Sequence, residues 1–200
     1  MEVAYGRLGK LTNARGYIMN KKLRTIAAAA AATLAINANA AVDMFLDIEG
    51  EITGESQDSV HKDEIDVLAW SWGLSQSGSF HVRGGGGAGK ASFQDISITK
   101  WIDSSSTVLY RYIANGDHFP TATLVVRKAG KTPLEYFKII MTKVMVTSAS
   151  TGGSGGEDKL TENITLNFSE FKIEYSKQKD DGSGEAPLEV CWDIAANVEC

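Results

Sequence analysis

Apolar and polar residues alternate along much of the chain after residue 41, and this period of two predicts β-strands. In Val42–Glu49, every second residue from Val42 is apolar and acidic side chains lie between them, which is typical of a half-buried strand. The mostly polar Gly50–Lys62 predicts a loop. Further strands are predicted over segments rich in β-branched and aromatic residues: Glu64–Leu74, Ala91–Trp101, Thr121–Arg127, Leu134–Thr147, Thr161–Tyr175 and Leu188–Ile194.

Two of these strands depart from simple alternation. Leu134–Thr147 is apolar on both faces, so we place it centrally in the sheet. In Thr161–Tyr175, the apolar residues change parity between Phe168 and Phe171. One extra residue near Ser169-Glu170 would account for this change, which predicts a β-bulge there.

One segment has helical periodicity. Ser104–Asn115 carries an apolar stripe at i, i+1, i+4 and i+5 spacing, beginning at Val108, and this stripe would pack on a sheet. Asp103 or Ser104 can cap the first N–H groups, and Gly116 supplies a stop with positive φ. Several short strands and one helix predict a mainly β domain over residues 41–200, either a sandwich or a barrel.

Trp70 and Trp72 lie two residues apart in the second predicted strand. With Leu68 and Leu74 they share one face of that strand, so core packing is favoured over stacking on a sugar or a base. Ser71 has the opposite parity, and its side chain is expected to point away from this core.

The first forty residues differ from the rest. Asn20–Arg24 is basic, Thr25–Ile36 is an alanine-rich apolar stretch, and Ala38-Asn39-Ala40 places small residues before a cleavage point. This order predicts a secretory signal peptide cleaved between Ala40 and Ala41, preceded by an upstream extension over residues 1–18. The apolar stretch is too short to span a bilayer comfortably, so we expect no stable membrane insertion. An alanine-rich amphipathic helix is the alternative.

The net charge of −5 averages two unlike pieces. Residues 1–40 hold six of the 20 Lys and Arg and one of the 25 Asp and Glu, so residues 41–200 hold 14 positive and 24 negative side chains and carry −10. Nucleic-acid-binding proteins usually present a basic face, so we expect no nucleic-acid partner. A hydrophobic fraction of 43% and a charged fraction of 22% exclude a disordered chain and a membrane bundle.

Two glycine-rich motifs match catalytic or nucleotide-binding patterns without their structural context. Gly84–Lys90 fits a phosphate-binding loop, but Ala91 replaces the Ser or Thr that binds Mg²⁺, and a predicted strand follows. Ser154 lies in a G-x-S-x-G sequence, yet a predicted strand follows it and no histidine comes after His118. Both segments are better interpreted as glycine-rich loops.

Histidine and cysteine offer little support for a metal site. His61, His81 and His118 lack ligand-like spacing, so we expect no metal. Cys191 and Cys200 leave three alternatives open: a disulfide between them, a cross-link between two chains through Cys200, or a buried and inert Cys191.

Several long motifs follow one another in a familiar order: Ala41–Gly50, Gly54–Asp58, His61–Gly73, the glycine loop to Lys90, Val126–Gly130, Leu134–Tyr136, Ser150–Asp158 and Leu160–Phe168. Together they cover essentially all of residues 41–200. In these motifs the chain resembles the haemolysin-coregulated protein family (Hcp), the tube protein of bacterial type VI secretion systems.

The resemblance implies a single antiparallel β-barrel with one flanking α-helix, in agreement with the strand pattern. It implies a homo-hexamer whose rings stack into a tube that carries effectors and is itself exported. The implied partners are the spike, sheath and effector proteins of the type VI system. It also implies no enzymatic activity and no cofactor.

In the family, the loop after the Trp-Ser-Trp strand reaches an adjacent ring. That loop corresponds here to Ser75–Lys90, so the resemblance implies these ring-stacking residues: Ser75, Gln76, Ser77, Gly84, Gly85, Gly86, Gly87 and Lys90. Because Ser71 faces away from the tryptophans, we expect it at the lumen of the tube.

The leader conflicts with the family's route, because typical Hcp proteins begin near the Ala41-Val42 position and lack a signal peptide. The expected location is therefore extracellular, by type VI secretion, or periplasmic if the signal peptide is used. Two other functions stay open: a monomeric periplasmic or extracellular binding module that contacts a ligand through Trp70 or Trp72, and a serine hydrolase that uses Ser154.

Overall fold

Antiparallel strands make up most of the residues that the structure describes. The computed structural model describes residues 42–79, 87–130, 132–156 and 158–200, so the predicted signal peptide lies outside the described residues. The elements are β1 (Val42–Ile48), β2 (Ile65–Ser71), β3 (Leu74–Ser79), β4 (Gly87–Phe93), β5 (Ile96–Trp101), α1 (Ser104–Asn115), β6 (His118–Lys128), β7 (Leu134–Gly152), β8 (Thr161–Tyr175), β9 (Leu188–Asp193) and β10 (Val198–Glu199).

Six of these strands close into a barrel. Their order is β8-β5-β2-β1-β6-β7, and β7 pairs again with β8. β8 closes the ring because its residues 161–166 pair with β5 along one edge, while its other edge pairs with β7. Residues 170–175 of the first edge pair with β9. β3 and β4 form a separate two-stranded sheet. The predicted barrel is therefore confirmed, and it has no unpaired edge among its six strands.

The barrel interior is filled by the apolar face of each strand. Fully buried side chains include Leu46, Ile98, Leu124, Met141 and Leu166. The helix packs on β7 and buries Leu109 completely, and its Tyr112 stacks on Phe119 with ring centroids 4.2 Å apart. The flanking helix thus extends the core with the apolar stripe that its sequence predicts. Among the described residues, no helix is long and apolar enough to cross a membrane.

The helix begins and ends where its capping residues predict. Asp103 is the N-cap: its carboxylate accepts a hydrogen bond from the Ser105 amide at 3.0 Å, and Ser106 accepts one from the Asp103 amide. Gly116 follows with a φ of 76° and donates to the Tyr112 carbonyl. Of the two predicted caps, Asp103 rather than Ser104 satisfies the free N–H groups.

β7 and β8 change the face that they bury at the same point. In β8 the buried side chains pass from Phe168 to Phe171, and in β7 from Met141 to Val144. The pairing register does not shift there, while Lys143 adopts a φ of 53°. The predicted parity change is confirmed, but a one-sided bulge with an extra residue is wrong, because both strands turn over together. The register shift lies further along, between Val146 and Ser148 of β7.

The predicted buried face of the second strand is wrong in part, because β2 contains an irregularity. Pairing with β5 shifts register between Val67 and Ala69, so the buried parity changes there. Trp70 and Trp72 pack against the core as predicted, but Leu68 and Leu74 are exposed. A bulge of this kind is invisible to alternation alone because it changes the face partway along the strand.

Two predicted segments divide differently. Ala91–Trp101 contains the end of β4 and the whole of β5, separated at Gln94, whose amide donates to the Gly73 carbonyl. The predicted Ser75–Lys90 loop is largely the β3–β4 hairpin, because Ser75 pairs with Ser92 and Gly78 with Ala88.

Candidate functional site

The β3–β4 hairpin presents polar side chains to solvent. Ser75, Gln76, Ser77 and Lys90 are all exposed. Gly87 lies opposite Ser79 in the ladder, whereas Gly84, Gly85 and Gly86 lie outside the described residues. The structure therefore places five of the eight implied stacking residues on one hairpin, four of them with side chains free to contact another surface.

A groove separates this hairpin from the last long strand. One wall consists of Leu74, Gln76 and Phe93, and the other of Val190 and Trp192 of β9. The groove has a volume of about 390 Å³, and we call it the hairpin groove. Leu74 is 57% exposed and Val190 is 45% exposed, so the hairpin groove leaves apolar surface in contact with water.

Ser71 lies at the end of β2, opposite Ser97 of β5, and its side chain is exposed. It is not among the residues that line the hairpin groove. Its neighbours Trp70 and Trp72 turn inward: Trp70 stacks on Phe137, and the Trp72 indole N–H donates to the Gln94 carbonyl at 2.8 Å. The predicted opposition between Ser71 and the tryptophans is confirmed.

A buried ion pair joins β5, β8 and α1. Lys100 and Glu162 lie opposite each other in the ladder, both have no exposed surface, and Lys100 Nζ lies 2.6 Å from Glu162 Oε1. Lys100 Nζ also donates to Asp103, the N-cap of α1, at 2.7 Å. Ser106 and Tyr110 of α1 donate to the Glu162 carboxylate. The two charges are thus well hydrogen-bonded in the interior, as burial of an ion pair requires.

The ionisation states of this cluster follow from those contacts. Burial acts to raise the pKa of Glu162, but hydrogen bonds from Lys100, Ser106 and Tyr110 outweigh it and hold that pKa below its usual value. The bond to Glu162 raises the pKa of Tyr110 to about 12. The carboxylate stays charged and the phenol neutral near pH 7, so neither group is poised to exchange a proton.

A second ionic contact fastens the loop after β1. Arg127 of β6 donates to both carboxylate oxygens of Asp58 and, at 3.1 Å, to Asp43. Asp58 also accepts from the backbone amides of Val60 and His61. The Arg127 hydrogen bond holds the pKa of Asp58 well below its usual range.

The same loop contains a glycine that approaches a neighbouring strand closely. A Cβ at Gly54 would lie 2.3 Å from the Glu64 carbonyl oxygen, and its amide donates to the Asp63 carbonyl at 2.7 Å. Only glycine fits this approach.

His61 is buried between two carboxylates of the same region. Its Nδ1 lies 3.0 Å from Glu64 and its Nε2 lies 3.3 Å from Glu135, while its ring stacks on Phe45 with centroids 4.2 Å apart. The carboxylates lie against different ring nitrogens, so they do not converge on one ligand position. His118 is exposed on β6, and His81 lies outside the described residues.

Among the described residues, the motifs that match catalytic and nucleotide-binding patterns lack the neighbouring elements that those functions require. Ser154 is exposed between β7 and β8, and its hydroxyl makes no hydrogen bond to a histidine among the described residues. Gly87–Phe93 is a strand, whereas a phosphate-binding loop requires a helix after it. Glu170, Cys191 and Cys200 have ligand atoms within 4.8 Å of one another, but the two sulfurs are bonded as a disulfide, which contradicts the inert and unpaired Cys191.

Sequence reasoning missed the Lys100–Glu162 pair, although alternation carries a signal for it. Lys100 has the parity of Ile96 and Ile98, and Glu162 has the parity of Ile164. A lysine and a glutamate that each interrupt an apolar face of neighbouring strands are candidates for a buried pair, because neither is tolerated inside alone. Recognising it required the register of two strands far apart in sequence.

The fold and its contacts define a class: a small closed β-barrel whose buried polar side chains tie strands and helix together and whose exposed hairpin borders an apolar groove. The family described as "Type VI secretion system effector, Hcp" matches residues 45–175. Protein hcp1 of Pseudomonas aeruginosa is 53% identical over 161 residues, which span 80% of this chain and 99% of that protein.

Solved structures agree with these sequence matches. The crystal structure of Hcp1 from Salmonella typhimurium is 39% identical with a TM-score of 0.66, over 80% of this chain and 99% of that one. The structure of a type six secretion system protein is 28% identical with a TM-score of 0.75, over 80% and 100%. The chain belongs to the Hcp family of type VI secretion proteins.

Replacing Lys100 with methionine would leave the Glu162 carboxylate buried without its cation. Removing one partner of a buried pair costs about 3–5 kcal/mol, and we expect the free energy of unfolding in urea to fall by that amount. The matched variant is Lys172→Met, which breaks partly exposed ion pairs to Glu174 and Glu189 and should cost much less, because solvent screens such pairs. Equal losses in the two variants would contradict the structural role of the buried pair.

Proposed function

We propose that this chain is a subunit of a type VI secretion tube, in which six copies form a ring, rings stack, and effectors travel in the lumen. Family membership supports this assignment. The observation that carries it is the different placement of polar groups: the charged side chains Lys100 and Glu162 inside the barrel are paired with each other, whereas the described polar side chains of the hairpin are exposed to solvent.

In this proposal the protein acts through its surfaces and is not an enzyme. The buried Lys100 and Glu162, together with the more exposed Tyr110, hold the helix on the barrel. Ser154 is exposed in the connection between β7 and β8. A catalytic nucleophile needs a neighbouring base within hydrogen-bonding distance, and among the described residues no hydrogen bond joins this serine to one.

The proposed stacking surface is the hairpin. Ser75, Gln76, Ser77 and Lys90 would contact the next ring, with the glycines from Gly84 to Gly87 between them along the chain. Short polar side chains and glycine let two backbones approach closely, so such a hairpin can add hydrogen bonds across an interface at little steric cost.

A closed ring needs two different faces on each subunit that complement each other. Residues 41–200 carry a net charge of −10, so like-charge repulsion opposes association unless apolar or oppositely charged patches offset it. Exposed apolar side chains at the hairpin groove, such as Leu74 and Val190, are candidates for that role. The proposed partners beyond the ring are the spike, sheath and effector proteins.

The binding-module alternative finds less support. Trp72 has its indole N–H bonded to Gln94 and its ring packed edge-on against Phe171 at 4.9 Å. Trp70 is stacked on Phe137. A tryptophan that stacks on a sugar needs a free ring face, and both rings already have aromatic partners.

Ser71 and Ser75 provide a matched pair of positions for testing ring stacking. Both are exposed in the subunit, and the two native cysteines are bonded to each other, so an introduced cysteine would be the reactive thiol. In Ser75→Cys, the rate of labelling by a small maleimide should fall at least about tenfold when rings stack, because contact buries the hairpin. In Ser71→Cys, the lumen stays wet and the rate should change less than about twofold.

Labelling would be followed by mass spectrometry on isolated rings and on stacked tubes of the same variant. Unchanged labelling at position 75 on stacking would contradict the hairpin contact. Protection of position 71 in single rings would place it at the subunit interface and contradict the lumen assignment.

We propose Sec export as the alternative to the tube route, and in that case residues 1–40 are removed at the Ala40–Ala41 bond. The basic segment, the apolar stretch and the small residues support signal-peptidase cleavage. The intact mass of protein recovered from the periplasm and the medium should correspond to a chain that begins at Ala41. A recovered chain that retains residues 20–40 would contradict cleavage, and accumulation in the periplasm that stops when Sec export is blocked would contradict the tube role.

A further inference from the structure

Cys191 and Cys200 occupy directly opposed positions in the β9–β10 hairpin. The ladder pairs Val198 with Asp193 and Glu199 with Trp192, and the next pair in the same register is Cys200 with Cys191. The structure bonds these two sulfurs, with the Cα atoms 5.4 Å apart. The disulfide therefore continues the strand pairing by one step.

The rest of this hairpin is weakly held. β10 has two residues, and its turn contains Asn197 with a φ of 57° and one side-chain bond, from the Ala196 amide to Asp193 at 2.7 Å. Val198 is 51% exposed, so β10 buries little apolar surface. A two-residue strand on a sheet edge is marginal without further support, and the covalent bond provides that support.

The disulfide is accessible to reagents in solution. Cys200 is exposed and Cys191 is partly exposed. A carboxylate oxygen of Glu170 and the two sulfurs all lie within 4.8 Å of one another.

The hairpin also shapes a surface. Trp192 of β9 and Asn197 of the β9–β10 turn both line the hairpin groove. Release of β10 from β9 would therefore alter the wall of that groove opposite β3 and β4.

We propose that Cys191 and Cys200 are a reversible redox modification site that fixes the β9–β10 hairpin. In a reducing cytosol both residues are thiols and β10 detaches readily from β9. In an oxidising compartment a small-molecule or protein disulfide accepts two electrons and two protons from the thiols. One S–S bond forms in this chain, one breaks in the oxidant, and two thiols leave on the oxidant. This inference rests on the disulfide alone and holds whether or not the chain forms rings.

Hydrogen–deuterium exchange of the full chain tests the proposal, with residues 188–200 as the reporting segment. We compare protein equilibrated with oxidised glutathione and protein reduced with dithiothreitol. A disulfide that closes a loop of about ten residues restricts the open state enough for roughly 50-fold slower exchange of the hairpin amides in the oxidised protein. Residues 42–48 of β1 are the internal reference and should exchange equally in both states.

The matched variant is Cys200→Ser, which removes the bond at an exposed position. It should exchange like reduced wild type under both conditions, because oxidised glutathione can form only a mixed disulfide with Cys191, which closes no loop. Exchange of residues 188–200 that is the same in oxidised and reduced wild type would overturn the proposal. So would two free thiols per chain after oxidation, or a disulfide-linked dimer on a non-reducing gel.

Discussion

The long pairing between β7 and β8 is the constraint on which the rest of the structure depends. β7 extends over Leu134–Gly152 and β8 over Thr161–Tyr175, and their ladder closes the barrel. Because both strands turn over together near Lys143, one half of β8 faces the barrel core and pairs with β5, while the other half pairs with β9. That second half carries β9 to the border of the hairpin groove. Closure of the barrel and the shape of its outer surface thus have one origin.

Ionic contacts hold two segments outside the strands, the start of α1 and the loop after β1, against the barrel. The Lys100–Glu162 pair holds the start of α1, and Arg127 holds the loop at Asp58. Folding lowers the pKa of Glu162 and of Asp58 below their usual values, so each carboxylate stabilises the fold above its unfolded pKa. That contribution is lost as the pH falls through the folded pKa. Acid therefore weakens both contacts, whereas neither lowered pKa makes the fold sensitive to small changes near neutrality.

Alternation in the sequence predicts strand identity well and strand faces less well. Val42–Ile48 forms the predicted strand, but alternation describes its faces only in part, because Val42 is exposed and Phe45 is buried on the opposite parity. The caps of α1 follow from local chemistry, since Asp103 and Gly116 suffice to predict them. The prediction that Leu68 faces the core is wrong, because the bulge that changes the buried face of β2 depends on pairing with β5. The burial of Lys100 was not predicted, because its partner Glu162 lies 62 residues away in the sequence. The sequence alone could not decide whether the two cysteines form a disulfide, because it does not reveal that their strands are in register.

Contacts inside the barrel stabilise it, and we propose that its outer surfaces assemble with copies of the same chain. The most direct test of that claim is the mass of the purified protein in solution, measured by sedimentation over a wide range of concentration. We predict a species of six times the subunit mass that persists on dilution, since ring closure adds a contact without exposing a new edge. A protein that sediments as a monomer at every concentration would contradict the tube subunit and with it the proposed roles of the hairpin and Ser71.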